Sequence, residues 1–439
     1  MRHISRTLGQ LPETLDETYE RILQAVPKEM WKDTHCILQW IMVSSRPLRV
    51  EELAEVFAID FDEERSGIPT FDPSWRDASA ETAVLSACST LVAIVDGRWG
   101  AKIVQFSHFS VQEYLTSDRI ANAKHVSRFH IRPKLAHTLL AKACLSVLCQ
   151  LDHGIDRAKI NNFPLAEYAA EHWVEHARVD DVSSYIRDGM DLLFDKNKPH
   201  FSAWIWLNNI DNDSAHYRHT NCRKQPDAVP LYYAALCGFC GLVKRLLTAH
   251  PEDLYAEGGV WGAPLNAALA KGHLDVVLFL LGHGADGENR GIKDQTGLHI
   301  ASSRGYTDVV RSLIDRGADL NAKCRDWDGG HQIAVTWTPL HVAISHKHHD
   351  VAILLLEGGA DTEIRSRSSS SDPFTKTWSG LDQTALYMAS SQGYADVVRS
   401  LIDRGADLNT KCQERDDGHQ IAVTSPWTPL RSLTNIKML

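Results

Sequence analysis

The chain has 439 residues, enough for two to four domains. Hydrophobic residues make up 44% and charged residues 23%, which excludes wholesale disorder and a collagen-like fibre. With 46 basic against 56 acidic residues, the formal net charge of -10 argues against a protein built to coat nucleic acid or an anionic membrane. No apolar run, Val276 to Leu281 included, approaches the ~18–20 residues that a membrane span needs. The N-terminal MRHISRTLGQLPETLDE has no apolar core of a secretory signal, and nine cysteines are scattered along the chain. Reduced thiols in the cytoplasm, or the nucleus, are the expectation.

In chain order, Leu11, Leu15, Tyr19, Ile22 and Val26 fall at helical spacing, with Pro27 as a stop. A second helical pattern over 28–45 carries Trp31, Leu38, Ile41 and Met42. Pro47 to Val50 reads as a short extended step, 51–59 as a short helix, 60–77 as a polar loop, and Ser79 to Cys88 as a third helix. Leu91 to Val95, then Asp-Gly-Arg-Trp-Gly, then Ile103 to Phe106 predict a β-hairpin. Helix, short strand, two helices and a hairpin is the order of a winged helix. Residues 121–225 read as a helical linker domain.

The C-terminal half is decided by self-comparison. GYTDVVRSLIDRGADLNAK at 305–323 returns as GYADVVRSLIDRGADLNTK at 393–411, and GHQIAVT at 330–336 returns at 418–424, both at an offset of 88. A shorter unit lies inside this duplication. Thr338-Pro339-Leu340-His341-Val342-Ala343 matches the ankyrin signature T-P-L-H-x-A. Degenerate copies open at Val229-Pro230-Leu231, Ala263-Pro264-Leu265, Thr296-Gly297-Leu298, Thr384-Ala385-Leu386 and Thr428-Pro429-Leu430, and the spacings from Pro230 to Pro264 and on to Gly297 are 34 and 33 residues. Thr before Pro suits a helix start, and Gly238, Gly272, Gly305 and Gly393 suit its left-handed end. The next two spacings stretch to 42 and 46 residues, with the additions in the projecting hairpins. The last unit, ending RSLTNIKML, is too short for a second helix, so residues 428–439 are expected to fray.

LPETLDETYERIL at 11–23, LRVEELAEVFAI at 48–59 and VQFSHFSVQEYL at 104–115 resemble segments that follow the NACHT nucleotide-binding domain in fungal-type STAND proteins. LAEYAAEHWVEHA at 165–177 is similar to their next region. The resemblance implies an NTPase, a winged helix and ankyrin repeats on one chain, and a role in NLR-like signalling or self/non-self recognition. This chain departs from that pattern: no G-x-x-x-x-G-K-[ST] occurs, so the phosphate cradle and its lysine are missing and no nucleotide is expected to bind. Residues 1–27 then read as the helical remnant of a preceding NTPase module, 28–120 as a winged-helix domain, 121–225 as the helical linker and 226–439 as about five ankyrin repeats plus a partial sixth. The fold class is mainly α, a winged-helix and helical half followed by an ankyrin α-solenoid.

Candidate chemistry is sparse. His172-Trp173-Val174-Glu175-His176 fits H-x-x-E-H, a zinc-protease pattern, but an amphipathic helix with Trp173 inward explains the same residues. Cys237-Gly238-Phe239-Cys240 is a C-x-x-C that falls on an inter-helix glycine, where packed thiols are the simpler reading. His348 sits where other repeats have His273, Tyr306 and Tyr394 and is read as structural. The third helix of the winged helix has no Lys or Arg, and 51–77 holds nine acidic against two basic residues, which opposes phosphate contact. The basic residues Arg119, Lys124, Arg128, Arg132, Lys134 and Lys142 read as a solvated helical face.

These observations predict a non-enzymatic interaction protein without cofactor or metal, with a protein partner, no membrane and no nucleic acid; the alternatives are a truncated STAND sensor that works with a nucleotide-binding domain in trans, and a winged-helix DNA binder. The partner is expected on residues that vary over a fixed framework. Those just before the inter-helix position are Lys271, Arg304, His346 and Gln392. The long hairpins add Trp327, Asp328, His331 and Trp337 in one copy and Asp416, Asp417, His419 and Trp427 in the other.

Overall fold

A computed structural model describes residues 14–211 and 226–424, except 66–67, 77–78, 89, 153, 292–293, 327–333, 370–381, 411 and 416–420. The chain forms two compact units, Met1–Pro226 and Asp227–Leu439.

In the first unit, the helix Leu15–Gln24 starts at Thr14, whose Oγ1 accepts from the Glu17 N–H at 3.2 Å. It is anchored by Tyr19, whose hydroxyl lies 2.6 Å from Ser110 Oγ and whose ring sits 5.6 Å from that of Tyr114. Trp31–Val43 follows and buries Ile37, Leu38 and Trp40 completely. Val50–Leu53 runs into a 3-10 turn over Ala54–Ala58. Residues 60–77, expected as a loop, instead hold most of an antiparallel pair, β1 (Ile59–Arg65) and β2 (Ile68–Phe71), in which Ile59 faces Phe71. A bulge between Asp60 and Glu64 breaks the alternation in the acidic run, and the strand pattern is hidden in the sequence. Buried Ile59, Ile68 and Phe71 hold the pair down, and Ser146 Oγ donates to the Pro69 carbonyl at 2.6 Å. After the helix Ala80–Cys88 come β3 (Val92–Asp96) and β4 (Lys102–Phe106), paired antiparallel from Val92 opposite Phe106. The Val104 N–H donates to the Leu48 carbonyl at 2.9 Å, so the expected extended step joins the wing.

Beyond the wing, the helix Pro133–Leu148 packs along Ala166–Ala177. Ala136, Ala141, Ala143, Ala166, Ala169 and Ala170 are all buried, and small side chains permit this close approach. An aromatic cluster closes the unit: the Trp173 and Trp204 rings meet edge to face at 5.3 Å, and Trp204 Nε1 donates to the Ala170 carbonyl at 3.1 Å.

The second unit is built from five helix pairs: Pro230–Cys237 with Cys240–Ala249, Pro264–Lys271 with Leu274–Gly282, Gly297–Arg304 with Thr307–Asp315, Pro339–Ser345 with His349–Glu357, and Ala385–Gln392 with Ala395–Asp403. Proline opens three of the first helices, where no backbone N–H is needed. Gly238, Gly272, Gly305 and Gly393 close four of them at φ between 71° and 79°. Two of these glycines are required twice over: a Cβ on Gly238 would lie 2.6 Å from the His273 ring, and one on Gly305 would lie 2.5 Å from that of His348. Those rings belong to the next repeat. Their Nε2 atoms lie 3.1 Å and 3.0 Å from the carbonyls of Leu236 and Ser303 at the end of the preceding first helix. His348 therefore joins neighbouring repeats, as its position in the sequence predicts. The Thr caps are only partly as expected. Thr384 Oγ1 accepts from the Tyr387 N–H at 3.3 Å, but Thr338 Oγ1 lies 2.7 Å from Nδ1 of His341.

The stretched hairpins after the third, fourth and fifth repeats are not loose loops. They form β5 (Cys324–Asp326) with β6 (Ala334–Trp337), β7 (Arg365–Ser369) with β8 (Asp382–Thr384), and β9 (Cys412–Arg415) with β10 (Ile421–Thr424). All six join in one antiparallel sheet whose spatial order follows the chain from β5 to β10. Residues 428–439 lie outside the described residues.

Candidate protein-interaction surface

In repeats one, two, three and five the first helix ends one residue before a left-handed glycine, and in repeat four it ends at Ser345, so that His346 stands between the helix and left-handed Lys347. Lys271, Arg304, His346 and Gln392 directly precede the left-handed residue in repeats two to five, and all four are exposed. The residues preceding them on the same helices, such as Ala267, Ala268 and Leu269, are buried, so the framework beneath the row is fixed.

Arg304 and His346 line one cleft of about 170 Å³ together with Trp261, Gln295, Ile300, Ser303, Cys324 and Val342. Arg304 Nη2 donates to the Ala270 carbonyl of the preceding repeat at 2.6 Å, which sets the guanidinium across the repeat boundary. His346 Nδ1 lies 3.0 Å from the Val342 carbonyl and 3.0 Å from Ser345 Oγ. Gln392 Oε1 accepts from the Tyr394 hydroxyl at 2.6 Å. Among the hairpin residues singled out from the sequence, Trp337 is described: it is half-buried, lies in β6 opposite Cys324, and its carbonyl is 3.2 Å from His299 Nε2. Trp327, Asp328, His331, Asp416, Asp417, His419 and Trp427 lie outside the described residues. Trp261, Gln295 and Cys324 line the cleft from outside the repeat helices, and the helix pattern does not point to them. Trp261 stands in a hairpin, in Gly-Gly-Val-Trp-Gly, and an aromatic residue among glycines is the one local cue.

One residue before the cleft residues Ile300 and Val342, His299 and His341 are fully buried. Thr296 donates its N–H to His299 Nδ1 at 3.3 Å, so this ring carries its proton on Nε2, facing the Trp337 carbonyl. Burial is the main cause that pushes both rings down to about 4.

The other candidate chemistries resolve into packing. In H-x-x-E-H, His176 is buried with Nδ1 2.9 Å from His137 Nδ1 and Nε2 2.8 Å from the Tyr168 hydroxyl. His172 Nδ1 meets Glu175 at 3.0 Å. Both ring nitrogens of His176 are thus engaged in the interior and do not converge with His172. Cys237 is buried and Cys240 half-buried, both as thiols, and burial raises the Cys240 pKa. In the basic stretch, Arg119 pairs with Asp16 at 2.6 Å, Lys134 pairs with Asp181, and Arg128 stacks 3.4 Å over the Trp31 ring. On the third winged-helix helix, Glu81 takes Lys102 at 2.6 Å.

The comparisons agree with this architecture. Ankyrin repeats match in three copies, over residues 231–324, 265–366 and 328–412. The winged helix domain of GPI inositol-deacylase matches residues 19–131, beginning inside the helix Leu15–Gln24. This chain carries a GPI-inositol-deacylase-type winged helix and an ankyrin-repeat stack. It is 33% identical over 294 residues to a Monascus ruber protein described as azaphilone pigments biosynthesis cluster protein L, which covers 64% of this chain. The chain spans 61% of that relative's length. Ankyrin repeats support a protein-interaction role. Among the described residues, no helix is long and apolar enough to cross a membrane.

Proposed function

We propose that this chain is a non-enzymatic, cytoplasmic interaction protein that captures a protein partner on the first-helix row and hairpins of its ankyrin stack, without nucleotide or nucleic acid. The observation that carries this reading is the exposed row Lys271, Arg304, His346 and Gln392, whose chemistry changes from repeat to repeat over a constant buried framework. A winged helix on the same chain as such a stack, with the STAND resemblance of residues 11–23, 48–59 and 104–115, supports a place in NLR-like signalling or self/non-self recognition. The relative's description supports a second setting, an accessory binding role beside pigment biosynthesis.

A photo-crosslinking residue placed at Lys271, and separately at the exposed Arg311 on a second helix, tests the reading in extracts of the source organism. A discrete adduct is expected from position 271 and not from 311. Equal adducts from both, or none from 271, would place recognition elsewhere. Equilibrium dialysis with labelled ATP and GTP is expected to show no stoichiometric site.

A further inference from the structure

The charge and spacing of the row specify more than a protein partner. In a chain of net charge -10, the cleft lining contains Arg304 and His346 but no Asp or Glu. Among the described residues, neither Lys271 nor Arg304 has a carboxylate at ion-pair distance. In the N-terminal unit, Lys32, Arg46, Arg49, Arg76, Lys102, Arg119 and Lys134 each face a carboxylate. Cations left without acidic neighbours on a rigid row are poised for an anionic partner. Arg304 is already oriented by its bond to the Ala270 carbonyl, which reduces the ordering cost of a second contact.

Spacing sets the pattern of the partner. Packed helices lie about 8–10 Å apart, so equivalent residues of successive repeats are separated by about that distance. A polyproline-II chain advances about 3.1 Å per residue and returns every third side chain to the same face. One repeat therefore corresponds to about three ligand residues. Trp261, Ile300 and Val342 give the cleft apolar walls beside Arg304, which suits an aliphatic side chain between the acidic ones.

We infer that the row Lys271, Arg304 and His346 binds an extended acidic segment of a partner protein, with Asp or Glu at every third position and an aliphatic residue between them. This rests on the reading that the first-helix row is the partner surface. Fluorescence polarisation with the full chain and labelled nine-residue peptides tests it. One peptide carries Glu at positions 1, 4 and 7 among Val and Gly. A second has the same composition with Glu at 1, 3 and 5, and a third has Gln for Glu at 1, 4 and 7.

The first peptide is expected to bind at least about tenfold more tightly than the other two, with affinity falling as salt rises. Lys271→Glu is expected to weaken it about tenfold, and Arg304→Gln by as much, with unchanged circular dichroism. Among the described residues the Lys271 side chain makes no hydrogen bond or ion pair, so its variant separates loss of binding from loss of fold. Equal binding of the respaced peptide would overturn the inference, as would indifference to Lys271→Glu. Equal binding of a single-stranded oligonucleotide would do so too, as would a salt-insensitive association that proves to be self-association of the chain. If crosslinks form at position 271 while the peptides fail, the acidic pattern falls and the surface stands. If both fail, the surface falls with it.

Discussion

At the scale of single residues, the inter-helix position shows how one backbone angle decides a side chain and its neighbours. Four repeats place glycine there, but the fourth has Lys347 at φ 66°. An L-residue in this region costs about 1–2 kcal/mol, of which glycine's greater freedom in the unfolded chain returns about 0.5–1 kcal/mol. Lys347→Gly should therefore stabilise the chain by about 0.5–1 kcal/mol, read as a higher urea midpoint at unchanged slope. The lysine also alters its surroundings. His273 and His348 reach back over a glycine to a carbonyl of the preceding repeat, whereas the ring of Tyr394, which follows Lys347 by one repeat, lies tilted 4.1 Å from that of His349, and its hydroxyl donates to Gln392. The buried histidines give a pH signature. His299 and His341 stay neutral down to about 4, against an ordinary value of 6.5, so below pH 6.5 the unfolded chain takes up protons that the folded chain refuses. Their contribution is whole above pH 6.5 and is lost as pH falls toward 4, on the order of 3 kcal/mol for each ring. Denaturant titrations at pH 7 and pH 5 should show a falling midpoint, and His341→Gln should flatten that fall.

Among the elements, the short helix Val50–Leu53 depends on one carboxylate. Glu52 is fully buried and accepts from Arg46 through both oxygens at 2.8 Å, from the Arg49 N–H at 2.7 Å and from Arg49 Nε at 2.9 Å. Burial pushes its carboxyl up, but these bonds and the two guanidinium charges outweigh burial and hold it below the usual range. Glu52→Gln strands two cations beside a neutral amide, and a loss of about 3 kcal/mol is expected in thermal or urea unfolding of the N-terminal unit. In sequence, Glu52 is merely one of several acids in Val-Glu-Glu-Leu-Ala-Glu. Its burial comes from folding Arg46 and Arg49 back over it, and no local pattern records that. The helix pairs were legible for the opposite reason. Proline at a helix start and glycine at a left-handed end answer local backbone demands, and they recur at fixed spacing. The hairpin strands were not legible: Arg365 to Ser369 has no apolar alternation, and one of its two ladders is made with β6, about thirty residues earlier. The row of candidate contacts could be read from variation between copies, whereas Trp261 enters the cleft only because one hairpin packs beside the next repeat.

For the whole molecule, the six-stranded sheet changes what kind of object the solenoid is. Repeats that touch only through helices unfold piecemeal from their ends. Between the third and fifth repeats a second set of bonds runs from hairpin to hairpin, so those repeats should open together in hydrogen exchange, more slowly than the helices of the first repeat.

The order of that sheet has a genetic corollary. Strands join it in the sequence in which the chain supplies them, and each hairpin leaves an edge to which the next can bond. Residues 324–411 carry β5 to β8, and the chain then starts again at β9 with the counterpart of β5 eighty-eight residues on. Tandem copying of such a block brings two repeats and four strands whose neighbours already exist, so copy number can change without inventing a new junction. A gene with one further copy of residues 305–392 should yield a folded chain with a longer stack, visible as added helical signal and a larger radius in solution scattering. The recognition row would gain one more Arg304 or Gln392 position and one more His346, letting the reach of the surface vary by recombination alone.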